Sequence, residues 1–245
     1  MNTRYLYLTI DLAVVAIPLA ASFYPRAPFY RQWKPVGIGL IATALFFIAW
    51  DELFTRLGIW SFNERYITGV YVGSLPIEEV LFFICIPYAC MFTYFALSHL
   101  VRNDVLYHHQ KVIGTTLASL LMVTGAALYY KLYTVTTFVL LALFLILQSV
   151  MTRSDYMGRF YVAWLILLIP FFIVNGILTG AFTEEPVVIY NAAHNLGVRI
   201  GTIPIEDAFY GMMMMGMAVA VAERVGMSNA AKNQLQSTAE SNRKM

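Results

Sequence analysis

The sequence contains one short motif twice, as Leu75-Pro76-Ile77-Glu78-Glu79 and as Ile203-Pro204-Ile205-Glu206-Asp207. A long apolar run follows each copy. Proline is well accommodated in the first turn of a helix, where its missing N–H is not needed, and the helix dipole favours acidic residues there. Each motif therefore predicts the start of a helix with two carboxyl groups in its first turn.

The composition places these helices in a membrane. The chain has 245 residues, of which 60% are hydrophobic and only 12% are charged. Soluble domains carry roughly twice that charged fraction. The net charge of +2 does not indicate a nucleic-acid partner, and the two cysteines, Cys85 and Cys90, do not indicate a disulfide framework. Carboxyl groups inside a membrane are costly and usually functional, so the two acidic pairs are the first candidates for a site.

The apolar runs predict an all-α integral membrane protein with seven spans. A spanning helix needs about 20 apolar residues, with a range of roughly 17–25. The seven runs are Tyr5–Tyr24, Val36–Phe54, Leu75–Leu97, Val112–Tyr130, Leu132–Met151, Phe160–Thr179 and Ile203–Val221.

The spans group as three, one and three, with two parallel repeats. We expect a first repeat at 1–111, a connector span at 112–131, a second repeat at 132–227 and a polar, disordered tail at 228–245. One connector leaves the two repeats in the same orientation, so both motifs should start from the same membrane face. The repeats are marked by Asp51, Trp60, Phe62, Tyr66 and Gly69 before the first motif, and by Asn175, Phe182, Tyr190-Asn191 and Gly201 before the second.

The distribution of Lys and Arg predicts the orientation. The side that carries the N-terminus holds five of these residues and the other side holds eleven, among them Arg102, Arg153 and Lys244. Cytoplasmic loops are enriched in Lys and Arg. We therefore expect a multi-pass protein of the cytoplasmic membrane, with the N-terminus outside, the C-terminus in the cytoplasm and the first run retained as a span.

The duplicated motif and its flanking residues resemble the membrane-integral microbial lycopene cyclases. Trp60-Ser61-Phe62 with the first motif matches one half of the heterodimeric type, and Tyr190-Asn191, His194 and Arg199-Ile200-Gly201 with the second motif match the other. The resemblance covers nearly the whole chain and implies both halves fused in one chain. It implies lycopene β-cyclase activity, which converts the ψ end groups of lycopene to β rings through γ-carotene to β-carotene without net redox change.

That chemistry needs a carboxyl group that protonates a double bond and a second group that removes a proton. Burial in an apolar site favours the neutral form of a carboxyl by much more than the helix dipole favours the anion. The catalytic candidates are Glu78, Glu79, Glu206 and Asp207. Adjacent helical residues point about 100° apart, so we expect one member of each pair to face the substrate and the other to anchor a loop or cap. The sequence does not choose between them.

The residues around the motifs supply candidates for binding the substrate and stabilising a cation. Aromatic faces stabilise cations, although Trp and Tyr near a membrane interface also form ordinary aromatic belts. Asp51 and Asn175 are candidates for hydrogen bonding to a motif carboxyl, or for interfacial capping. The other candidates are Trp60, Phe62, Tyr66, Phe82, Phe83, Tyr190, Asn191, His194 and Arg199.

The expected ligands are lipophilic. We expect a carotenoid that enters from the bilayer, contact with lipids, and association with other carotenoid-pathway enzymes or a second copy of the chain, and no nucleic acid. There is no Gly-x-Gly-x-x-Gly fingerprint, so we expect no tightly bound flavin, and we expect no metal site. A proton-coupled transporter or a carotenoid-binding membrane protein that uses the same carboxylates is the alternative. A retinal protein is disfavoured because Ile203–Val221 contains no lysine.

Overall fold

The structure is a computed structural model that describes residues 3–100, 104–151 and 155–243. Side chains are described as far as residue 226, except that of residue 151. Arg102, Arg153 and Lys244, which contribute to the predicted orientation, lie outside the described residues.

Seven α-helices make up most of the described chain, one for each predicted span. The six long apolar helices that meet the length and composition of membrane spans confirm an all-α membrane protein. The helices are α1 (Leu6–Ala21), α2 (Trp33–Arg56), α3 (Ile77–Leu100), α4 (Gln110–Ala127), α5 (Leu132–Met151), α6 (Met157–Leu178) and α7 (Ile205–Arg243). The expectation of a disordered tail is corrected, because α7 continues to Arg243. The segment after Val221 contains no proline and is rich in good helix formers such as Ala, Gln, Glu and Lys.

Helix α4 is the one helix of the seven that falls outside the six apolar spans. It packs antiparallel to α5 along its length. Gly125 lies against Phe138 and Val139 of α5, and Gly114, near the other end of α4, lies against Ser149. Small residues let helices approach closely in membranes. Because α4 runs back beside α5, α3 and α7 begin at the same end of the bundle, as the predicted connector requires.

Three short antiparallel sheets, which the sequence analysis did not predict, form a cap at that end. The hairpin β2–β3 (Tyr71–Val72 and Leu75–Pro76) precedes α3, and β5–β6 (Arg199–Ile200 and Ile203–Pro204) precedes α7. The third sheet joins the two halves, since β1 (Trp60–Phe62) pairs with β4 (Val188–Tyr190) and Trp60 lies opposite Tyr190.

The two hairpins have the same local geometry. Gly73 and Gly201 occupy the turns with φ of 65° and 64°, a left-handed backbone that favours glycine. Gly201 therefore corresponds to Gly73 in the two hairpins. Gly69, with φ of 82°, corresponds to Gly197, with φ of 80°.

The repeats meet along α2 and α7, which form the centre of the bundle. Met212, Met213 and Met215 of α7 are buried there, and a Cβ atom at Gly39 of α2 would lie 2.6 Å from the carbonyl oxygen of Ala218. The outer helices leave large apolar side chains exposed, such as Ile17 of α1 and Leu165 of α6, as expected for contact with lipid chains.

We expect Gly39→Ala to destabilise the bundle. The added methyl group overlaps the backbone of α7, and overpacking of this kind costs about 1–3 kcal/mol. The thermal midpoint in detergent should fall by several degrees. Gly37→Ala is the matched control, because nothing lies within 4 Å of a Cβ atom there. Equal midpoints for the two variants would contradict the close α2–α7 contact.

Candidate functional site

Each motif hairpin delivers two carboxyl groups to the start of a helix in the same way. The backbone N–H of Ile77 donates to the carbonyl of Val70 at 2.8 Å, and Ile205 donates to Val198 at 3.0 Å. These bonds fix the passage from hairpin to helix. The four acidic side chains are all buried.

The first acid of each pair anchors a loop. Oε1 of Glu78 accepts the backbone N–H of Thr68 at 2.7 Å, and Oε1 of Glu206 accepts that of Leu196 at 2.6 Å. Glu206 also accepts the hydroxyl of Thr134 at 2.5 Å. The second oxygen of both residues is buried and has no hydrogen-bond partner among the described residues. Glu78 and Glu206 therefore face the cap.

The second acid of each pair lines a cavity shared by the two halves. The hydroxyl of Tyr7 donates to Oε2 of Glu79 at 2.5 Å. Two hydroxyls donate to Asp207, from Tyr133 to Oδ1 at 2.7 Å and from Tyr190 to Oδ2 at 2.9 Å. Glu79 and Asp207 thus belong to one composite site.

The cavity has a volume of about 350 Å³ and runs down from the cap between the helices. Its walls are mostly apolar and aromatic. On α3 its lining runs from Glu79 to Thr93, which at about 1.5 Å per residue corresponds to a slot roughly 21 Å long. Ala13 and Ile17 of α1 and Pro170 of α6 lie on its edge and are exposed. The slot therefore opens sideways between α1 and α6, where lipid chains would lie.

Several predicted site residues line this cavity. Trp60 is buried under the cap, and its ring centre lies 5.1 Å from that of Tyr133. Asp51 is buried, and its Oδ1 accepts a long hydrogen bond of 3.5 Å from Tyr210. Asn175 donates to the carbonyl of Phe171 at 3.3 Å and makes no described bond to a motif carboxyl. The predicted residues in the lining are Glu79, Asp207, Trp60, Phe62, Phe82, Asp51, Asn175 and Tyr190.

Other predicted residues lie behind the cavity wall or in the cap. Phe83 is fully buried and packs on Phe47, and Tyr66 is buried in the cap. Asn191 donates to the carbonyl of Gly58, and the backbone carbonyl of His194 accepts the N–H of Tyr133. The four predicted residues of this group do not line the cavity, namely Phe83, Tyr66, Asn191 and His194.

Arg199 lies beside Tyr190 and interacts electrostatically with Asp207. Its guanidinium lies 6.0 Å from the centre of the Tyr190 ring, and it donates to the carbonyl of Thr202. Burial raises the pKa of Tyr190 well above its ordinary value, and the charge of Asp207 is the second largest cause of the increase. The Tyr190 hydroxyl therefore keeps its proton and remains a donor to Asp207.

Sequence reasoning missed the tyrosines that hold the cavity carboxyls. Tyr7 and Tyr133 each follow a leucine at the start of the first helix of a repeat, and this second repeated signal could have identified them. Tyr210 follows the second motif by one helical turn. Asp11 is also buried, and neither of its carboxyl oxygens has a hydrogen-bond partner among the described residues.

Among the described residues, no group of three or more His, Cys, Asp or Glu side chains is arranged to hold a metal ion. The cavity lining offers the carboxyl groups of Asp51, Glu79 and Asp207, several tyrosine hydroxyls and aromatic faces.

Comparison with known proteins agrees with this arrangement of two halves. The model of the family described as lycopene cyclase matches residues 4–97 and 130–225, which together make up more than half of the chain. The chain belongs to the lycopene cyclase family. The two matched segments lie on either side of α4, which falls wholly between them. No solved structure matches the chain.

Curated relatives are similar over part of the chain. A bifunctional lycopene cyclase/phytoene synthase of Pyrenophora tritici-repentis is 34% identical over 94 residues, which cover 38% of this chain and 15% of the relative. The C(50) beta-cyclic carotenoids biosynthesis protein LbtBC of Dietzia sp. is 31% identical over 80 residues, which cover 30% of this chain and 17% of the relative. The matches thus span less than a fifth of these relatives.

The two members of each acidic pair should differ in their effect on stability. Glu78→Ala and Glu206→Ala leave a backbone N–H in the cap without its acceptor, which costs about 1–3 kcal/mol. Thermal unfolding in detergent should therefore show larger losses for these variants than for Glu79→Ala and Asp207→Ala, whose tyrosine partners border the cavity. The reverse order would contradict the assignment of anchors.

Proposed function

We propose that this protein catalyses acid–base cyclisation of the ψ end groups of lycopene to β rings in carotenoid biosynthesis. The observation that carries the proposal is that two carboxyl groups, one from each half of a lycopene cyclase family chain, line one aromatic cavity that opens sideways from the bundle. The reaction is an isomerisation, assigned to lycopene β-cyclase among the intramolecular lyases.

The carboxyl groups of Glu79 and Asp207 match what the reaction demands. One group adds a proton to the terminal double bond of the end group, a neighbouring double bond closes the ring, and a second group removes a proton. A positioned acid or base of this kind contributes about 100- to 10,000-fold to a rate. Glu79 and Asp207 supply one carboxyl from each repeat, and a hydrocarbon needs no further polar partner.

The walls are suited to a carbocation that water must not capture. Trp60, Phe82 and Tyr210 present aromatic rings beside the carboxyls. Aromatic faces attract cations by about 0.5–2 kcal/mol each. Phe62 and Trp164 extend the same lining.

The slot below the carboxyls is suited to the polyene chain. It is formed on α3 by Phe82, Ile86, Ala89 and Cys90, which lie on one face of the helix at spacings of three to four residues. The sideways opening lets a substrate dissolved in the bilayer enter end first. One composite site then acts on one end group at a time, so γ-carotene is the intermediate.

The β ring is proposed from the name of one relative. The relative from Dietzia is named for beta-cyclic carotenoids. We propose that the chain acts in the cytoplasmic membrane with its N-terminus outside, uses no tightly bound cofactor because the net reaction is not a redox reaction, and takes its substrate from lipid and from neighbouring pathway enzymes.

Expression in a bacterial host that makes lycopene tests the function. The wild-type chain should convert lycopene to γ-carotene and β-carotene, identified by chromatography and mass. Glu79→Gln and Asp207→Asn should each lower the β-ring product at least about 100-fold, because each removes one of the two proton-transfer groups. Asp155→Asn, at an exposed site away from the cavity, is the matched carboxyl-to-amide control and should retain activity. Unchanged lycopene with the wild-type chain, present and folded in the membrane, would overturn the proposal.

A bulky side chain deep in the slot should block the substrate without damaging the fold. We expect Ala89→Trp to abolish cyclisation by filling the path of the polyene, while the thermal midpoint changes by only a few degrees. Ile84→Trp, on the same helix but exposed and outside the cavity lining, serves as the control and should stay active. Full activity of Ala89→Trp would show that the polyene lies elsewhere.

A further inference from the structure

The two cavity carboxyls are not equivalent in their hydrogen bonding. Glu79 accepts one hydroxyl, from Tyr7 to Oε2. Its Oε1 accepts no hydrogen bond from a described residue. This oxygen is nevertheless accessible, unlike the buried side-chain oxygens that lack a partner. Glu79 thus presents one carboxyl oxygen to the cavity with no protein group bound to it.

Asp207 has a donor on each oxygen. Tyr133 and Tyr190 bind its two oxygens at 2.7 and 2.9 Å. Hydrogen bonds donated to a carboxylate stabilise its charged form, and those to a charged acceptor are stronger than those between neutral groups. The guanidinium of Arg199 over the Tyr190 ring adds a positive charge on this side of the site.

The surroundings of the two groups differ in charge as well. Asp51 lines the cavity in the first half, and buried Asp11 lies four residues after Tyr7 on α1 and interacts electrostatically with Glu79. The residue four positions after Tyr133 is Thr137, which is buried, uncharged and likewise without a partner among the described residues. A negative charge on Glu79 would therefore stand beside other acidic groups, with no described Lys or Arg lining the cavity.

We infer that Glu79 is the acid that protonates the substrate and Asp207 is the base that removes the final proton. The inference rests on the proposed cyclisation. The O–H bond at Glu79 breaks and its proton forms a C–H bond at the CH carbon of the terminal double bond, which leaves a tertiary cation on the dimethyl carbon. The next double bond in reach attacks that carbon, closes the six-membered ring and moves the cation to the methyl-bearing ring carbon.

Asp207 then takes the proton from the ring carbon that carries the polyene chain. The electron pair of that C–H bond becomes the ring double bond of the β end group. One proton has left Glu79 and one has reached Asp207, so the substrate is isomerised without oxidation or reduction. One proton transfer, from Asp207 back to Glu79 directly or through water, restores the starting state.

Asp51 is a poorer base than Asp207 on the same grounds. Its Oδ2 is buried without a hydrogen-bond partner among the described residues, its Oδ1 has a long contact of 3.5 Å with Tyr210, and Trp60 interacts with the same carboxyl group. A carboxylate at Asp51 would therefore lack the two short hydrogen bonds, one on each oxygen, that Asp207 has.

Solvent deuterium separates the two roles. Purified protein is mixed with phosphatidylcholine vesicles that contain lycopene in D2O buffer, and carotenoids are analysed by mass spectrometry and by ring type. The wild-type protein should add one deuteron for each ring closed. Glu79→Gln should leave lycopene unlabelled and uncyclised. Asp207→Asn should still protonate the substrate, so deuterium should appear in recovered lycopene or in rings with the double bond elsewhere, while labelled β rings fall at least about 100-fold.

The conservative variants keep the test independent of folding. Asp207→Glu should restore β rings in part, and Glu79→Asp should restore some labelling, while Asp155→Asn should behave as the wild-type protein. The inference is overturned if Glu79→Gln still incorporates deuterium, or if folded Asp207→Asn incorporates none. Absence of cyclic product with the wild-type protein would instead overturn the proposed function, so the two failures are distinguishable.

Discussion

The structure depends on buried carboxyl groups that are held by hydroxyls from a different helix. A carboxyl inside an apolar bundle is costly unless it is hydrogen-bonded. Tyr7 on α1 reaches Glu79 on α3, and Tyr133 on α5 reaches Asp207 on α7. These bonds tie the first helix of each repeat to the third, and they leave the cavity-facing acids in defined orientations. The helices could not slide past one another without leaving these carboxyls unsatisfied.

The same constraint explains why each motif carries two acids and not one. The first acid bonds the backbone ten residues earlier, at Thr68 and at Leu196. It therefore fixes the hairpin over the start of the helix, which in turn fixes where the second acid points. The pairing of β1 with β4 then joins the two caps. The cap loops thus determine, through Glu78 and Glu206, the position of the two acids that line the cavity.

Much of the fold could be predicted from the sequence, because span length and span number are simple physical limits. Seven apolar runs, grouped as two repeats of three spans joined by a single connecting span, predict that Glu79 and Asp207 meet at one end of the bundle. The choice between Glu78 and Glu79 could not be predicted, since Phe82 and Phe83 place aromatic groups on both faces of α3. That choice is made by Tyr7, which in the sequence resembles an ordinary interfacial tyrosine. The strand pairs were also missed, because strands of two or three residues are too short to show the alternation of apolar and polar side chains that identifies a strand.

The two repeats share one scaffold, but the carboxyl groups that they bring to the cavity have different surroundings. The helices keep their equivalent tyrosines, but Asp207 has a side chain one methylene shorter than Glu79 and gains a second hydroxyl from Tyr190. That hydroxyl comes from β4, which lies in the longer of the two cap loops and is held opposite Trp60 of the other half. The environment of the second carboxyl is therefore built partly by a strand that pairs with the first repeat. Two identical halves would give two carboxyls with equal proton affinity, whereas a cyclisation needs one group that gives a proton and another that takes one.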